Sequence, residues 1–295
     1  MKRFILNSPP DSGGIVRLEG KDFHYLVGVR RLGKGAIFPA LLPGGIETEL
    51  RVLSVEGGAL SAKCELPQKN RALDKNRGSI LKLPPIYLFQ ALPKAAKMDL
   101  IVRQAAEGGI SQIIPFESGF SAAKKNRRSE SNGKGAATEK ILRWERIIRE
   151  ARQQSGSMVP TSAALPCDLE RALEFWAGLK REYAPCAGIL LHQESLEAAD
   201  RDSAVSEKRS SPLAKGTFHD YLCDNPEAVV LAVGPEGGFS LREAGLFLAA
   251  GFRPLVMGCT ILRTETAALY GVAAIRTILL ERLAWESKPA QPRND

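Results

Sequence analysis

The spacing of apolar residues divides the chain into two parts with different rhythms. Up to about residue 75 the apolar runs are short or alternating: Ile15–Leu18, Ala36–Leu42, Thr48–Val55 and Ala59–Leu66. Pro43-Gly44-Gly45 and Gly57-Gly58 separate the later runs, as the turns of hairpins do. Several short strands at this spacing predict a small β-barrel, with one helical turn over Lys21–Val29. Residues 68–78 are polar and charged without strand pattern, so the linker is placed there.

From Ser79 onward apolar strands alternate with helices. Ile86–Leu92, Ile110–Phe116, Gly188–His192, Ala228–Val233 and Pro254–Met257 read as buried strands. Helices are expected over Lys97–Gly108, Glu139–Ser155, Asp168–Lys180, Leu241–Ala250 and Thr266–Ala284. In the second of these, Ile141, Leu142, Trp144, Ile147, Ile148 and Ala151 recur near a period of 3.6. Gly108-Gly109 is a C-cap signal and Asp168 an N-cap signal. The alternation implies an α/β unit with a mainly parallel sheet covered on both faces. The polar stretch 195–217 interrupts the alternation and reads as an insertion.

Charge adds a partner class to this picture. The chain carries a net charge of +8 and a pI near 9.3. Residues 121–155 hold ten Lys/Arg against four Glu, which fits either a polyanion-facing surface or a solvated helix face. Five dispersed cysteines, none at Cys-x-x-Cys spacing, fit reduced, mostly buried thiols; no metal site is expected. No apolar run approaches the roughly 20 residues of a membrane span, and the run at Met1–Asn7 is too short for a signal peptide. A soluble cytoplasmic protein is expected.

The candidate chemistry lies in two stretches, Leu231-Ala-Val-Gly-Pro-Glu-Gly-Gly-Phe-Ser240 and Met257-Gly-Cys-Thr-Ile-Leu-Arg-Thr-Glu-Thr-Ala267. Each is an apolar run that stops at a glycine-containing loop and then enters a helix, the place where α/β proteins bind ligands. Gly237 and Gly238 permit positive φ and close ligand approach, and Ser240 with Glu243 has capping-box spacing. No Gly-Lys-Ser/Thr follows, which argues against a phosphate-gripping P-loop. An ordinary tight turn explains the glycines but not Glu236 between them. Arg263 and Glu265 admit two readings: a structural ion pair with each other, or an anion-facing Arg with a carboxylate that orients a partner. Thr264 or Thr266 is a candidate cap for the following helix.

These stretches resemble the bacterial 16S rRNA (uracil-N3)-methyltransferases, the RsmE family of the SPOUT (trefoil-knot) superfamily. His24–Leu32, Leu88-Phe-Gln-Ala-Leu-Pro-Lys94 with Met98, Gln104–Ile110 with Ile114-Pro115, and Arg143–Gln154 are similar to the family's other segments, in order. Gly108 stands where Leu is usual and Ser157 where an Arg is common. The resemblance implies a PUA-like β-barrel over 1–75 and a knotted α/β methyltransferase domain over 79–286. It implies a homodimer acting on 16S rRNA within the small ribosomal subunit, with S-adenosyl-L-methionine as cofactor. The cofactor residues it implies are Leu191, Val233, Gly234, Glu236, Gly237, Met257, Gly258, Ile261 and Leu262. Arg263, Glu265 and Glu236 are the candidate catalytic residues. Lys2, Arg3, His24, Arg30, Arg31, Lys94, Arg143 and Arg152 are candidates for RNA phosphates. Phe23 and Tyr25 fit base stacking or, more simply, core packing. Two further readings stay open: a non-catalytic RNA-binding or assembly protein, and a knotted methyltransferase for another RNA position.

Overall fold

The computed structural model describes residues 3–65, 83–121, 133–192, 216–258 and 260–286. The expected linker at 68–78, residues 195–215 of the expected insertion, 122–132 of the basic segment, Lys2 and Cys259 lie outside the described residues. The chain forms two compact units, one of 1–78 with 149–160 and one of 79–148 with 161–295. Residues 149–160, which the sequence reading assigns to the second domain, group with the first.

In the first unit, β1 (Phe4–Ile5), β2 (Ile15–Glu19), β3 (Ile37–Leu41), β4 (Glu47–Glu56) and β5 (Ala59–Glu65) form a sheet in the order β1-β3-β4-β5-β2. Only β1–β3 is parallel. Alternation decides what is inside: Val16 and Leu18 of β2, Leu50 and Val52 of β4, and Leu60 and Ala62 of β5 are buried around Leu26 and Phe38. Helix α1 (Gly20–Phe23) continues into a π-helical turn, His24–Val29, that seats Leu26 in this core. Phe23 and Tyr25 pack against the same core, in agreement with their packing reading. The two-residue β1 has no sequence signal, because two residues display no period.

The second unit holds β6 (Ile86–Ala91), β7 (Gln112–Phe116), β8 (Ser162–Ala163), β9 (Cys186–Leu191), β10 (Ala228–Val233) and β11 (Arg253–Leu255). All pairings are parallel and the order is β11-β9-β10-β6-β7-β8. Its helices are α2 (Ala95–Glu107), residues 133–148 of α3 (Gly133–Ser155), α4 (Leu169–Glu182), α5 (Phe218–Leu222), α6 (Leu241–Ala249) and α7 (Thr264–Glu286). Strands β6 and β10 are buried at every residue, as a parallel sheet with both faces covered requires. Helices α2 and α7 begin two residues earlier than the sequence reading, and α3 begins six residues earlier. Strand β8 and helix α5 are too short for periodicity to reveal.

Two glycines let α7 pack closely. A Cβ on Gly271 of α7 would meet Leu231 Cδ2 of β10 at 2.6 Å. A Cβ on Gly108, just after α2, would meet Val272 Cγ1 of α7 at 3.1 Å, so this glycine shapes a helix contact. Asp168 caps α4 by accepting from Arg171 N at 2.8 Å. No helix among the described residues is long and apolar enough to cross a membrane. The thiols depart from the expectation of burial. Cys64, Cys167 and Cys186 are half-buried, Cys223 is exposed, and burial pushes the Cys186 thiol up to about 11.

Candidate functional site

Parallel register brings the carboxyl ends of four strands level. Leu255 pairs with Leu191, Leu191 with Val233, and Val233 with Gln90, so β11, β9, β10 and β6 end in one row. The chain leaves this row in loops that enclose a cavity of about 250 Å³. Leu191, Val233, Gly234, Gly237, Met257, Gly258, Ile261 and Leu262 line it, joined by His192, Pro235, Gly238, Phe239, Val256, Thr260 and Ala267. Glu236 is the one predicted cofactor residue outside that lining.

The loop after β10 is closed by its own residues. Gly238 N donates to Pro235 O at 3.0 Å, and Gly238 takes the left-handed conformation at φ 72°. Gly237 does not, contrary to the expectation for both glycines. Its bare Cα instead makes room for Phe120, whose Cβ would lie 2.9 Å from a Cβ on Gly237. Ser240 and Glu243 form the expected capping box: Ser240 Oγ accepts from Glu243 N at 3.3 Å, and Glu243 Oε2 accepts from Ser240 N at 2.9 Å. The other Glu243 oxygen accepts from Gly119 N at 2.6 Å, so this buried carboxylate also anchors the turn after β7.

The loop before α7 is held by distant residues. Gln90, fully buried at the end of β6, donates from Nε2 to Thr264 Oγ1 at 3.0 Å. The Thr264 hydroxyl in turn donates to Gly234 O at 2.6 Å. Thr264 therefore ties the α7 terminus to the cavity loop rather than capping the helix. Arg263 O accepts the first helical hydrogen bond, from Ala267 N at 2.8 Å. Sequence reasoning missed Gln90, although a glutamine ending an apolar strand was a visible signal.

Lys97, in the first turn of α2, is the second residue it missed. Its Nζ lies 3.3 Å from Glu236 Oε1 and 3.2 Å from Glu265 Oε2, so both candidate catalytic carboxylates meet on one ammonium. Glu265 is thus paired with Lys97 rather than with Arg263. Burial disfavours the Lys97 charge, but its contacts with Glu265 and Glu236 outweigh that and raise its pKa above 10.5. Burial alone would raise Glu236. Its backbone N–H donors, Lys94 among them at 3.4 Å, together with Lys97 hold it below 4.5. Arg263 is exposed and has no ion pair among the described residues.

The candidate RNA contacts scatter more widely. His24, Arg31 and Lys94 are exposed, whereas Arg30 is half-buried with its guanidinium 5.6 Å from the centre of the Phe38 ring. Arg3 pairs with Glu47 and Arg143 with Asp99. Arg152 is buried, and one guanidinium nitrogen reaches Met158 O at 3.5 Å, so it presents no free cation to a phosphate.

Known proteins resemble this chain in sequence and fold. A family model described as RNA methyltransferase domain matches residues 81–276. The chain is 28% identical to the ribosomal RNA small subunit methyltransferase E of Mycobacterium tuberculosis, over 92% of this chain and 90% of that protein. It is 26% identical to the Bacillus subtilis protein of the same name, covering 88% of each. The crystal structure of a ribosomal RNA small subunit methyltransferase E from Neisseria gonorrhoeae bound to S-adenosyl methionine superposes with a TM-score of 0.65. That match covers 94% of this chain and 98% of that one at 21% identity, and shows a shared fold. With two-thirds of its length matched to the family model, including the cavity and its supporting helices, the chain belongs to the RNA methyltransferase domain family.

Proposed function

We propose that this protein transfers a methyl group from S-adenosylmethionine to N3 of a uridine in small-subunit (16S) ribosomal RNA. The observation that carries the reading is the cavity built from three strand ends, walled by apolar side chains and by glycine main chain. The names of the relatives support the substrate, and the ligand named for the Neisseria structure supports the cofactor.

The residues fit that cofactor. Leu191, Val233, Met257, Ile261 and Leu262 offer apolar walls for a purine, and Gly234, Gly237 and Gly258 leave backbone groups accessible to its polar edge. When bound, S-adenosylmethionine supplies a methyl group already activated on a positively charged sulfur. The protein then has to align the acceptor. Uracil N3 carries a proton at neutral pH that leaves to solvent water, and a cation beside the forming anion lowers the barrier to its loss. Arg263 takes that role, exposed just before α7 and without an ion pair among the described residues. Glu236 is a weak base because Lys97 and backbone donors stabilise its charge, and it serves to fix the cavity loop. Glu265 orients the start of α7 through Lys97.

To this reading we add a PUA-like barrel for the first unit, a trefoil knot in the threading of the C-terminal segment, and action in the cytoplasm. A homodimer is supported by α7, whose Leu269, Tyr270 and Leu280 are 39%, 56% and 36% exposed. His24, Arg31 and Lys94 supply RNA contacts. Arg263→Ala tests the reaction: transfer should fall by about 10²–10³-fold, with S-adenosylmethionine affinity unchanged by calorimetry. A variant working at the wild-type rate removes Arg263 from the mechanism.

A further inference from the structure

We infer that Phe120 is the stacking platform for the target pyrimidine, a substrate-contacting residue of the methyl-transfer site; the inference rests on the proposed RNA substrate. Phe120 sits in the turn after β7 and is 57% exposed. A solitary exposed apolar residue needs no explanation by itself. This one does, because the surrounding structure is built to hold it. Ser118 and Ser121 flank it and are both buried, with Ser118 N donating to Ser121 Oγ at 3.0 Å and Ser121 N to Ser118 O at 3.1 Å. Gly119 N, the donor immediately before Phe120, is fixed by Glu243 at 2.6 Å. Gly237 has no need of glycine for its φ, yet any side chain there would collide with Phe120 Cβ.

The turn is thus immobilised from both sides while its ring stays in solvent. Gly237 lines the cofactor cavity, so the Phe120 side chain packs on a residue of the cavity wall. A base that accepts a methyl group from this cavity must leave its helical stack, and an unstacked base gains most from the flat face of an aromatic side chain. Phe offers that face without a hydrogen-bonding group, so it holds any pyrimidine flat and leaves the choice of uracil to its polar edge.

The test compares Phe120→Ala, Phe120→Leu and Phe120→Tyr in the full-length protein, using single-turnover methyl transfer to 16S rRNA at saturating cofactor. Ala and Leu should lower the rate roughly ten- to hundredfold, the range that base–aromatic stacking is worth. Tyr should restore it, with S-adenosylmethionine affinity and sedimentation mass unchanged throughout. An unchanged rate in Ala overturns the inference. So does full activity in Leu, which means simple apolar packing, or a changed mass in Ala, which makes the ring a subunit contact. Should the wild type transfer no methyl group, the proposed function fails separately. Binding of a short oligouridine then decides: weaker binding by Ala than by wild type supports the platform, and equal binding rejects it.

Discussion

The two loops that face each other across the cavity are built in opposite ways. The loop after β10 closes on itself: turn, positive-φ glycine and capping box lie within ten residues, 234–243. The loop before α7 carries the exposed Val256 and Ile261 and is held at its far end by Gln90 and Lys97, more than 160 residues away in sequence. One wall is therefore shaped first by its local sequence, with Glu236 and Glu243 adding ties to Lys97 and Gly119, whereas the other is held by the folded sheet. Arg263 belongs to the second wall, so on the proposed mechanism its position is set by distant partners.

Breaking the distant tether should have the largest effect. Gln90→Leu keeps the volume of a buried side chain but removes the donor to Thr264, freeing the α7 terminus from the level row of strand ends. Transfer should fall by about 10²-fold, the usual result of a misplaced catalytic group, at a stability cost of about 1–3 kcal/mol. Single-turnover rates beside denaturant titrations check both numbers. A stability loss with an unchanged rate would mean that Thr264 does not position Arg263.

Breaking the local box should act in the reverse proportion. Glu243→Ala removes the reciprocal half of the α6 capping box, the bond from Ser240 N, worth about 1 kcal/mol, and leaves the Gly119 N–H without its acceptor at a further cost of about 1–3 kcal/mol. Chemical denaturation should show the larger loss here, and transfer should fall less than in Gln90→Leu. Equal rate losses in the two variants would erase the contrast between the loops.

Lys97 sharpens the comparison with the smallest effect. Lys97→Met should lower transfer by about tenfold, one pKa-unit equivalent of lost electrostatic positioning, and Lys97→Arg should recover part of it. The pH dependence has a definite sign. Glu236 is depressed when folded, so its contribution is present above 4.5 and is lost as pH falls through its lower folded value. Lys97 is raised, so its contribution is present below 10.5 and is lost as pH rises through its higher folded value. Wild-type minus Lys97→Met stability should therefore form a plateau between the carboxylate and ammonium ranges. A flat difference at every pH contradicts the clamp.

What was legible in the sequence follows the same division. Ser240 and Glu243 sit three residues apart, so their contact was readable from spacing, as were the alternating strands of the first unit and the buried runs of β6 and β10. The cavity residues were legible through resemblance to a family. Gln90, Lys97 and Phe120 were not assigned roles, because each acquires its partner only when parallel strands align in register. Arg152 failed in the other direction. A cation on a basic helix looked like a phosphate contact, but its position on the α3 face turned it inward. The Thr264 hydroxyl, read as a helix cap, bonds a carbonyl 30 residues earlier.

The most direct measurement is methyl transfer from labelled S-adenosylmethionine to unmodified small ribosomal subunits and to naked 16S rRNA, followed by nucleoside analysis. The account predicts label in 3-methyluridine, with the preferred substrate revealing how much assembled structure the protein reads. Label in a ribose or another base, or binding of S-adenosylmethionine with no transfer to either RNA, would contradict it.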